Sequence, residues 1–175
     1  PIIWILFYFF LCLAQKNRAL NALNDLINIR NHKATQILVK PSFGNILLWR
    51  TIYVHENKFY IDAVNTFKFS HICSGTSMIK ESPNEILQSF KKGSVLYQDV
   101  KKFIWFSSEY VSFDRKNNMI SDIRYAFIPN SDKALWGIKI NEKNDQEHVR
   151  WYSKNNANNK VSDKFFSLLL SENCT

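Results

Sequence analysis

The chain has 175 residues, of which 46% are hydrophobic and 15% aromatic, so it is too apolar to be disordered and long enough for a domain with an appendage. Its formal net charge of +8 is compatible with an anionic partner. The cations are scattered, however, and the closest pairs, Lys91–Lys92 and Lys101–Lys102, are too short to form a basic arm. Charge therefore favours a solvated surface over a polyanion site.

The cysteines indicate a reducing compartment. Cys12, Cys73 and Cys174 form no CxxC motif and have no neighbouring pair of histidines. This spacing matches neither a disulfide framework nor a zinc site, so we expect free thiols.

The first element in the chain is an uncharged run from Ile2 to Ala14. As a helix it would extend roughly 20 Å, which is short of a bilayer core of about 30 Å. We interpret it as the end of a transmembrane helix that begins upstream of Pro1. Two alternatives stay open: a buried core helix, and a secretory signal in which Cys12-Leu13-Ala14 resembles a cleavage site but the basic n-region is missing.

An amphipathic helix is predicted to continue from Gln15 to Asn31 without a break. The apolar residues in this segment recur at helical spacing: Ala19, Leu20, Leu23, Leu26 and Ile27. Four cations follow the apolar run: Lys16, Arg18, Arg30 and Lys33. The positive-inside rule then places the downstream residues in the cytoplasm.

Residues 1–33 are thus predicted to be a truncated transmembrane segment continuing as an amphipathic helix, and residues 34–175 a soluble C-terminal domain. Its clearest feature is a β-hairpin, with strands Ile46–Val54 and Phe59–Val64 around a polar break at His55–Lys58. A short strand over Thr35–Lys40 precedes the hairpin. Thr66–Lys80 lacks periodicity and predicts a loop or irregular edge.

Helices and further strands follow. Ser82-Pro83-Asn84-Glu85 predicts a capped helix start, because Ser82 and Glu85 have the spacing of a capping box. The other predicted elements are a helix from Val95 to about Trp105, a hairpin of Glu109–Asp114 with Met119–Phe127, strands at Ala134–Ile140 and His148–Tyr152, and a last helix that starts at Ser162 or Asp163.

The predicted fold class is α+β. An antiparallel sheet of hairpins is covered by helices on one side, and a long N-terminal transmembrane-to-amphipathic helix precedes it.

No motif in the chain predicts catalysis or a metal site. The histidines His32, His55, His71 and His148 lack metal-ligand spacing, and there is no P-loop, GxGxxG or GxSxG. His71 lies close to Cys73, but an ordinary free thiol is the favoured interpretation of that pair.

Four charged residues fall in the middle of predicted strands, where a charge is costly unless it is paired or exposed. They are Arg50, Asp62, Asp122 and Arg124. We expect structural salt bridges rather than a binding pocket, with Arg50 a candidate partner for a strand carboxylate.

Five stretches, in order, resemble the C-terminal region of bacterial inner-membrane-bound, metal-dependent hydrolases. They are the apolar-to-amphipathic helix, VKPSFGNILLWRTIYVHENKFYIDAV (39–64), FIWFSSEYVSF (103–113), SDIRYAFIPNSDKALWGIKI (121–140) and QEHVRWY (146–152). The positions that match the family's pattern include Asn45, Trp49, Arg50, Asp62, Asp122, Arg124 and Trp136.

The resemblance implies a non-catalytic fragment. In that family several transmembrane helices precede the soluble tail, and the His- and Asp-containing metal motifs lie in that N-terminal membrane portion. No position of this chain matches those motifs, so no cofactor is expected in this fragment, while a divalent metal is implied for the full-length parent. The implied partners are the bilayer and the missing N-terminal portion. The implied location is the bacterial inner membrane, with the C-terminal domain in the cytoplasm.

The alternative function is a basic interaction module that binds anionic lipid or nucleic acid. Aromatic residues among basic ones, in KKFIWF (101–106) and VRWY (149–152), could stack on nucleobases. Such residues ordinarily fill a core, and no RNP motif is present. Nucleic acid is therefore the less favoured partner.

Overall fold

The computed structural model describes residues 2–154 and 159–170. The chain divides into two compact units. In the described residues, the first unit comprises 2–78, 127–132 and 159–170, and the second comprises 79–126 and 133–154.

The first unit begins with one continuous helix, α1 (Ile2–Ile29). Its first half is exposed on every side, whereas its second half buries one stripe of residues at helical spacing: Gln15, Ala19, Leu23 and Ile27. The uncharged run and the predicted amphipathic segment are therefore one helix. Burial changes where the sequence changes from uniformly apolar to periodic.

The first unit contains a four-stranded antiparallel sheet in the order β1 (Gln36–Pro41), β2 (Leu48–His55), β3 (Lys58–Asn65) and β4 (His71–Ile79). The hairpin of β2 and β3 has a two-residue turn at Glu56 and Asn57, whose φ angles of 46° and 57° belong to the left-handed region. Such turns match the twist of paired strands, and the predicted hairpin is confirmed.

Both faces of the β2–β3 hairpin are covered, rather than the one face expected from the sequence. On one face, Ala19 of α1 packs on Trp49 and Val64. On the other face, Leu48 and Ala63 pack with the helix α4 (Asn159–Leu170) and with the 127–132 segment. Two-sided cover explains why β2 is buried along almost its entire length.

The segment Thr66–Lys80 was predicted to be a loop or an irregular edge. The loop alternative is wrong for residues 71–79, which form the regular strand β4 at the edge of the sheet beside β3. Gly75 lies inside this strand, where the backbone approaches its neighbours so closely that a Cβ would overlap the carbonyl oxygens of Ile61 and Asn130. A glycine in a strand marks such close backbone approach as often as it marks a turn.

The second unit packs two helices on a four-stranded antiparallel sheet. The helices are α2 (Pro83–Leu87) and α3 (Val95–Phe106), and the strands are β5 (Val111–Asp114), β6 (Met119–Asp122), β7 (Trp136–Lys139) and β8 (Arg150–Ser153). The capping box is present, since Ser82 accepts from the Glu85 backbone N–H and the Glu85 carboxylate accepts from the Ser82 N–H. Together the two sheets and the helices confirm the α+β class.

Some element bounds differ from the prediction for local reasons. β6 ends at Asp122 instead of Phe127, because the Asp122 carboxylate accepts the backbone N–H of Arg124 at 3.0 Å and turns the chain. α4 starts at Asn159, a few residues before the predicted cap.

We expect Gly75→Ala to lower stability by about 2 kcal/mol, since the added methyl group meets two backbone carbonyls that cannot move aside cheaply. Ser77→Ala, at an exposed position of the same strand, is the matched control. Thermal unfolding of the detergent-solubilised chain, followed by near-UV circular dichroism, measures the difference. Equal melting temperatures for the two variants would contradict the steric argument.

Candidate functional site

A cluster of polar side chains lies in the first unit where α1 ends. Asn31 has φ 52° and follows the helix as a left-handed cap, with the His32 N–H donating to Ile27 O at 3.0 Å. This cap turns the chain so that Arg30 and His32 lie against the sheet face that carries Tyr53 and Asp62.

Arg30 and Asp62 form a two-pronged ion pair. Arg30 Nη1 donates to Asp62 Oδ2 at 2.7 Å, and Nη2 donates to Oδ1 at 3.1 Å. The Asp62 side chain is 3% exposed, and its Oδ1 also accepts the Gly75 N–H at 3.0 Å. The hydrogen bonds to Asp62 raise the pKa of Arg30 well above its usual range. Both oxygens of the buried carboxylate therefore have hydrogen-bond donors within the fold.

Tyr53 joins this ion pair to His32. The buried Tyr53 hydroxyl accepts from Arg30 Nη1 at 3.0 Å and lies 2.8 Å from His32 Nδ1. A guanidinium can only donate, so the hydroxyl proton is free to be donated to a neutral His32. Desolvation, then the neighbouring His55 and Arg30, lower the pKa of His32, which is consistent with that assignment. Burial raises the pKa of Tyr53, so its hydroxyl keeps its proton.

Aromatic stacking completes the cluster. The rings of His32 and His55 stack at 4.2 Å between centroids, and those of Tyr53 and Tyr60 stack at 5.0 Å. His55 Nδ1 lies 3.3 Å from the Lys33 carbonyl oxygen. Both histidines thus have structural contacts, His32 with Tyr53 and His55 with the Lys33 backbone.

A second arginine holds α1 near the apolar run. Arg18 Nη1 donates to Thr66 O and Nη2 to Lys68 O, both at 2.9 Å. Arg18 and Arg30 are twelve positions apart on and just beyond the same helix, so α1 is held at two points along its amphipathic half. We call this arrangement, formed by Arg18, Arg30, Tyr53 and Asp62, the helix clamp.

Arg50 lies on the opposite face of β2 from the helix clamp. Its Nη1 donates to the carbonyl oxygens of Pro129 and Ser131. The expected salt bridge at Asp62 is present, but Arg30 is its partner, and Arg50 instead holds the 127–132 segment over the sheet.

In the second unit, Asp122 and Arg124 form the expected structural salt bridge. Arg124 Nη2 donates to Asp122 Oδ2 at 2.7 Å, and the Asp122 side chain is completely buried. The same guanidinium donates to the Phe106 carbonyl oxygen at 2.9 Å and to Ser108 Oγ at 3.2 Å. The pair thus joins the end of β6 to the end of α3.

The remaining family-pattern residues also have structural contacts. Asn45 Oδ1 accepts the N–H groups of Leu47 and Leu48, which closes the loop before β2. Trp49 is buried and donates its indole N–H to Ile46 O at 3.0 Å. The ring of Trp136 packs against that of Tyr125, with centroids 4.8 Å apart and planes tilted by 55°.

The prediction of free thiols is wrong for Cys73, which takes part in a disulfide bond. A cysteine in a disulfide is not a nucleophile, so the weak Cys73–His71 candidate fails as well. Cys12 is free, as expected. The spacing of the cysteines did not indicate this bond, because a single bridge has no characteristic spacing.

Among the described residues, no group of three or more histidine, cysteine or acidic side chains could hold a metal ion. The charged residues singled out from the sequence lie instead in separate structural contacts. The sequence did not indicate that Arg18 and Tyr53 belong to the helix clamp. Their partners are distant in the chain, so these contacts leave no local sequence pattern. Comparisons of the chain with family models, with curated proteins and with solved structures gave no match.

A double-mutant cycle tests the ion pair of the helix clamp. We expect Arg30→Met and Asp62→Leu each to lower stability by about 3 kcal/mol, because each leaves a buried charge or its acceptors without a partner. The double variant should lose clearly less than the sum of the two, by about 1–3 kcal/mol. Arg30→Lys, which keeps the charge but not the two-pronged geometry, is the matched control. Additive losses in thermal unfolding would show that the pair is not coupled.

Proposed function

We propose that this chain is a membrane-anchored, non-catalytic soluble domain of a membrane-bound, metal-dependent hydrolase. The observation that carries the proposal is the division of α1 into an exposed apolar half and a docked amphipathic half. The rest of the proposal rests on the resemblance of the sequence to the C-terminal region of such hydrolases.

The exposure of the apolar half supports a membrane anchor. Among the described residues, α1 is long and apolar enough to cross a membrane. Its first residues are far from buried, with Ile3 at 80%, Trp4 at 74% and Phe10 at 71% exposure. A core helix would bury such side chains, so the core-helix interpretation finds no support. A secretory signal would pass the same test of length and composition. The carbonate-extraction experiment below tests whether this run holds the chain in a membrane.

The contacts of the charged family-pattern residues support a scaffold role for the soluble part. The Arg30–Asp62 and Asp122–Arg124 pairs and the Arg50–carbonyl contacts each join two segments of one unit. The hydrogen-bonding groups of these residues are occupied by other parts of the same unit. A catalytic acid or base would instead need a group within reach of a substrate proton. We therefore propose that the divalent metal of the parent hydrolase is bound, and catalysis takes place, in a membrane portion upstream of Pro1.

The side of the membrane is a separate part of the proposal. The resemblance implies the bacterial inner membrane with residues 34–175 in the cytoplasm, and the cations after the apolar run favour that side. The disulfide at Cys73 favours an oxidising compartment, because cytosolic thiols are ordinarily kept reduced. The redox state of Cys73 in the cell, trapped by alkylation, decides between them. A reduced thiol would support the cytoplasmic side.

The anchor is tested by placing charge in the exposed run. Leu6 and Phe9 are 63% and 60% exposed, and we expect the double variant Leu6→Lys/Phe9→Lys to be released from membranes by alkaline carbonate, because two lysines in the bilayer cost about 5 kcal/mol. Ile29→Lys is the control, at an apolar position of the same helix that lies beyond the run and is 81% exposed. The wild type and the control should stay in the membrane pellet. Equal retention of the double variant would contradict the anchor.

The non-catalytic assignment is tested by activity. The purified full chain, supplied with Zn²⁺, Mn²⁺ or Mg²⁺, should hydrolyse neither ester nor phosphoester substrates above the rate of the metal alone. The open reading frame upstream of Pro1 should encode apolar spans with clustered histidine and aspartate. Tight metal binding with turnover by this chain, or an upstream start codon followed by a basic n-region, would contradict the proposal.

A further inference from the structure

The second unit carries an apolar groove of about 590 Å³ that no part of the proposed function uses. Its floor is formed by Phe103, Ile138 and Val149, and its walls by Trp105, Phe106 and Trp151. The groove lies beside β8, the strand at the edge of this sheet. Almost all of its surface is therefore carbon, although it faces solvent.

The aromatic walls are unusually exposed. Trp105 is 81% exposed, Trp151 65% and Phe106 49%. Trp151 is held edge-on against both Phe103 and Phe106, with centroids 5.6 Å and 6.3 Å apart. Contiguous exposed aromatics of this kind mark interaction surfaces, because isolated apolar side chains are common on a surface but such clusters are not.

Polar groups lie at one rim of the groove. His148 Nδ1 lies 2.7 Å from Asp99 Oδ2, which also accepts the Val149 N–H at 3.3 Å. The Asp99 carboxylate is thus engaged within the unit. The exposed Lys102 supplies a cation beside the aromatic walls, and Lys101 precedes it on α3.

We propose that this aromatic groove is a membrane-docking surface that inserts Trp105, Phe106 and Trp151 into the headgroup region of the bilayer. The proposal rests on the anchoring of α1 proposed above. Tryptophan concentrates at membrane interfaces because its ring is apolar while its N–H remains hydrated, and lysine places its stem in the apolar layer with its charge at the phosphates.

A bilayer is also the partner that the anchor holds beside the soluble residues. A tethered surface meets its target at a high effective concentration, so a few aromatic side chains suffice where a free protein would need more. The docking surface would therefore be a second, reversible attachment of the same chain.

Tryptophan quenching by brominated lipids tests the proposal on the full chain in phosphatidylcholine vesicles, with bromine placed either near the headgroups or deep in the acyl chains. Trp4, Trp105 and Trp151 are highly exposed, whereas Trp49 is buried. Shallow bromine should quench the wild type, and Trp105→Phe/Trp151→Phe should reduce that quenching roughly twofold or more, since it removes two of these three exposed rings. Equal shallow quenching of the two proteins would overturn the proposal.

Trp4 distinguishes this failure from failure of the anchor. Deep bromine should quench the wild type and should quench Trp4→Phe clearly less if α1 is inserted. Loss of that difference would overturn the anchor, whereas deep quenching of Trp4 without shallow quenching of Trp105 and Trp151 would overturn only the docking surface. Full accessibility of Trp105 and Trp151 to aqueous iodide in vesicles would likewise overturn it and indicate a soluble partner.

The role of Lys102 is tested in vesicles that also contain phosphatidylglycerol. Lys102→Gln should weaken shallow quenching and its dependence on salt, because one attraction to lipid phosphate is lost. Lys116→Gln, an exposed lysine of the same unit that does not line the groove, is the matched control. Equal effects of the two substitutions would show that the cation acts through net charge rather than at the groove.

Discussion

The docking of the amphipathic half of α1 on the β2–β3 hairpin is the constraint on which the first unit depends. Ala19, Leu23 and Ile27 bury apolar surface between the helix and the sheet. Arg18 and Arg30 fix the orientation of the helix on the sheet, because a guanidinium donates to its acceptors at defined angles. The same helix carries a largely exposed apolar run on its other half. No linker separates the exposed run from the half that packs on the sheet, because α1 is one continuous helix.

The charges of the helix clamp show how a buried ion can serve structure without chemistry. Asp62 is almost inaccessible, yet each of its oxygens accepts at least one N–H, so the cost of burying its charge is offset inside the fold. In the second unit the buried Asp122 carboxylate is likewise paired with an arginine, Arg124. Both units thus use arginine to join segments that are distant in sequence. The exposed aromatic groove differs from these contacts, because the folding of the second unit does not explain its exposed rings.

Local elements could be read directly from the sequence. The hairpin turn, the Ser82 capping box and the α3 helix each depend on a few adjacent residues, and each is present. β4 could not be read in this way, since Gly75 looks like a breaker until its contacts with Ile61 and Asn130 are known. The Cys73 disulfide left no pattern either. These features depend on residues that become neighbours only after folding.

The sequence by itself determined that an uncharged run continues into an amphipathic helix, that hairpins follow, and that Arg50, Asp62, Asp122 and Arg124 must find partners. Only the tertiary structure decided which partners those are. Strand alternation assigns a residue to one face of a sheet, but it does not say what covers that face. Because α1 covers the sheet face that carries Asp62, Asp62 pairs with Arg30 at the end of this helix and not with a strand arginine. Arg50, on the other face, donates to the 127–132 segment.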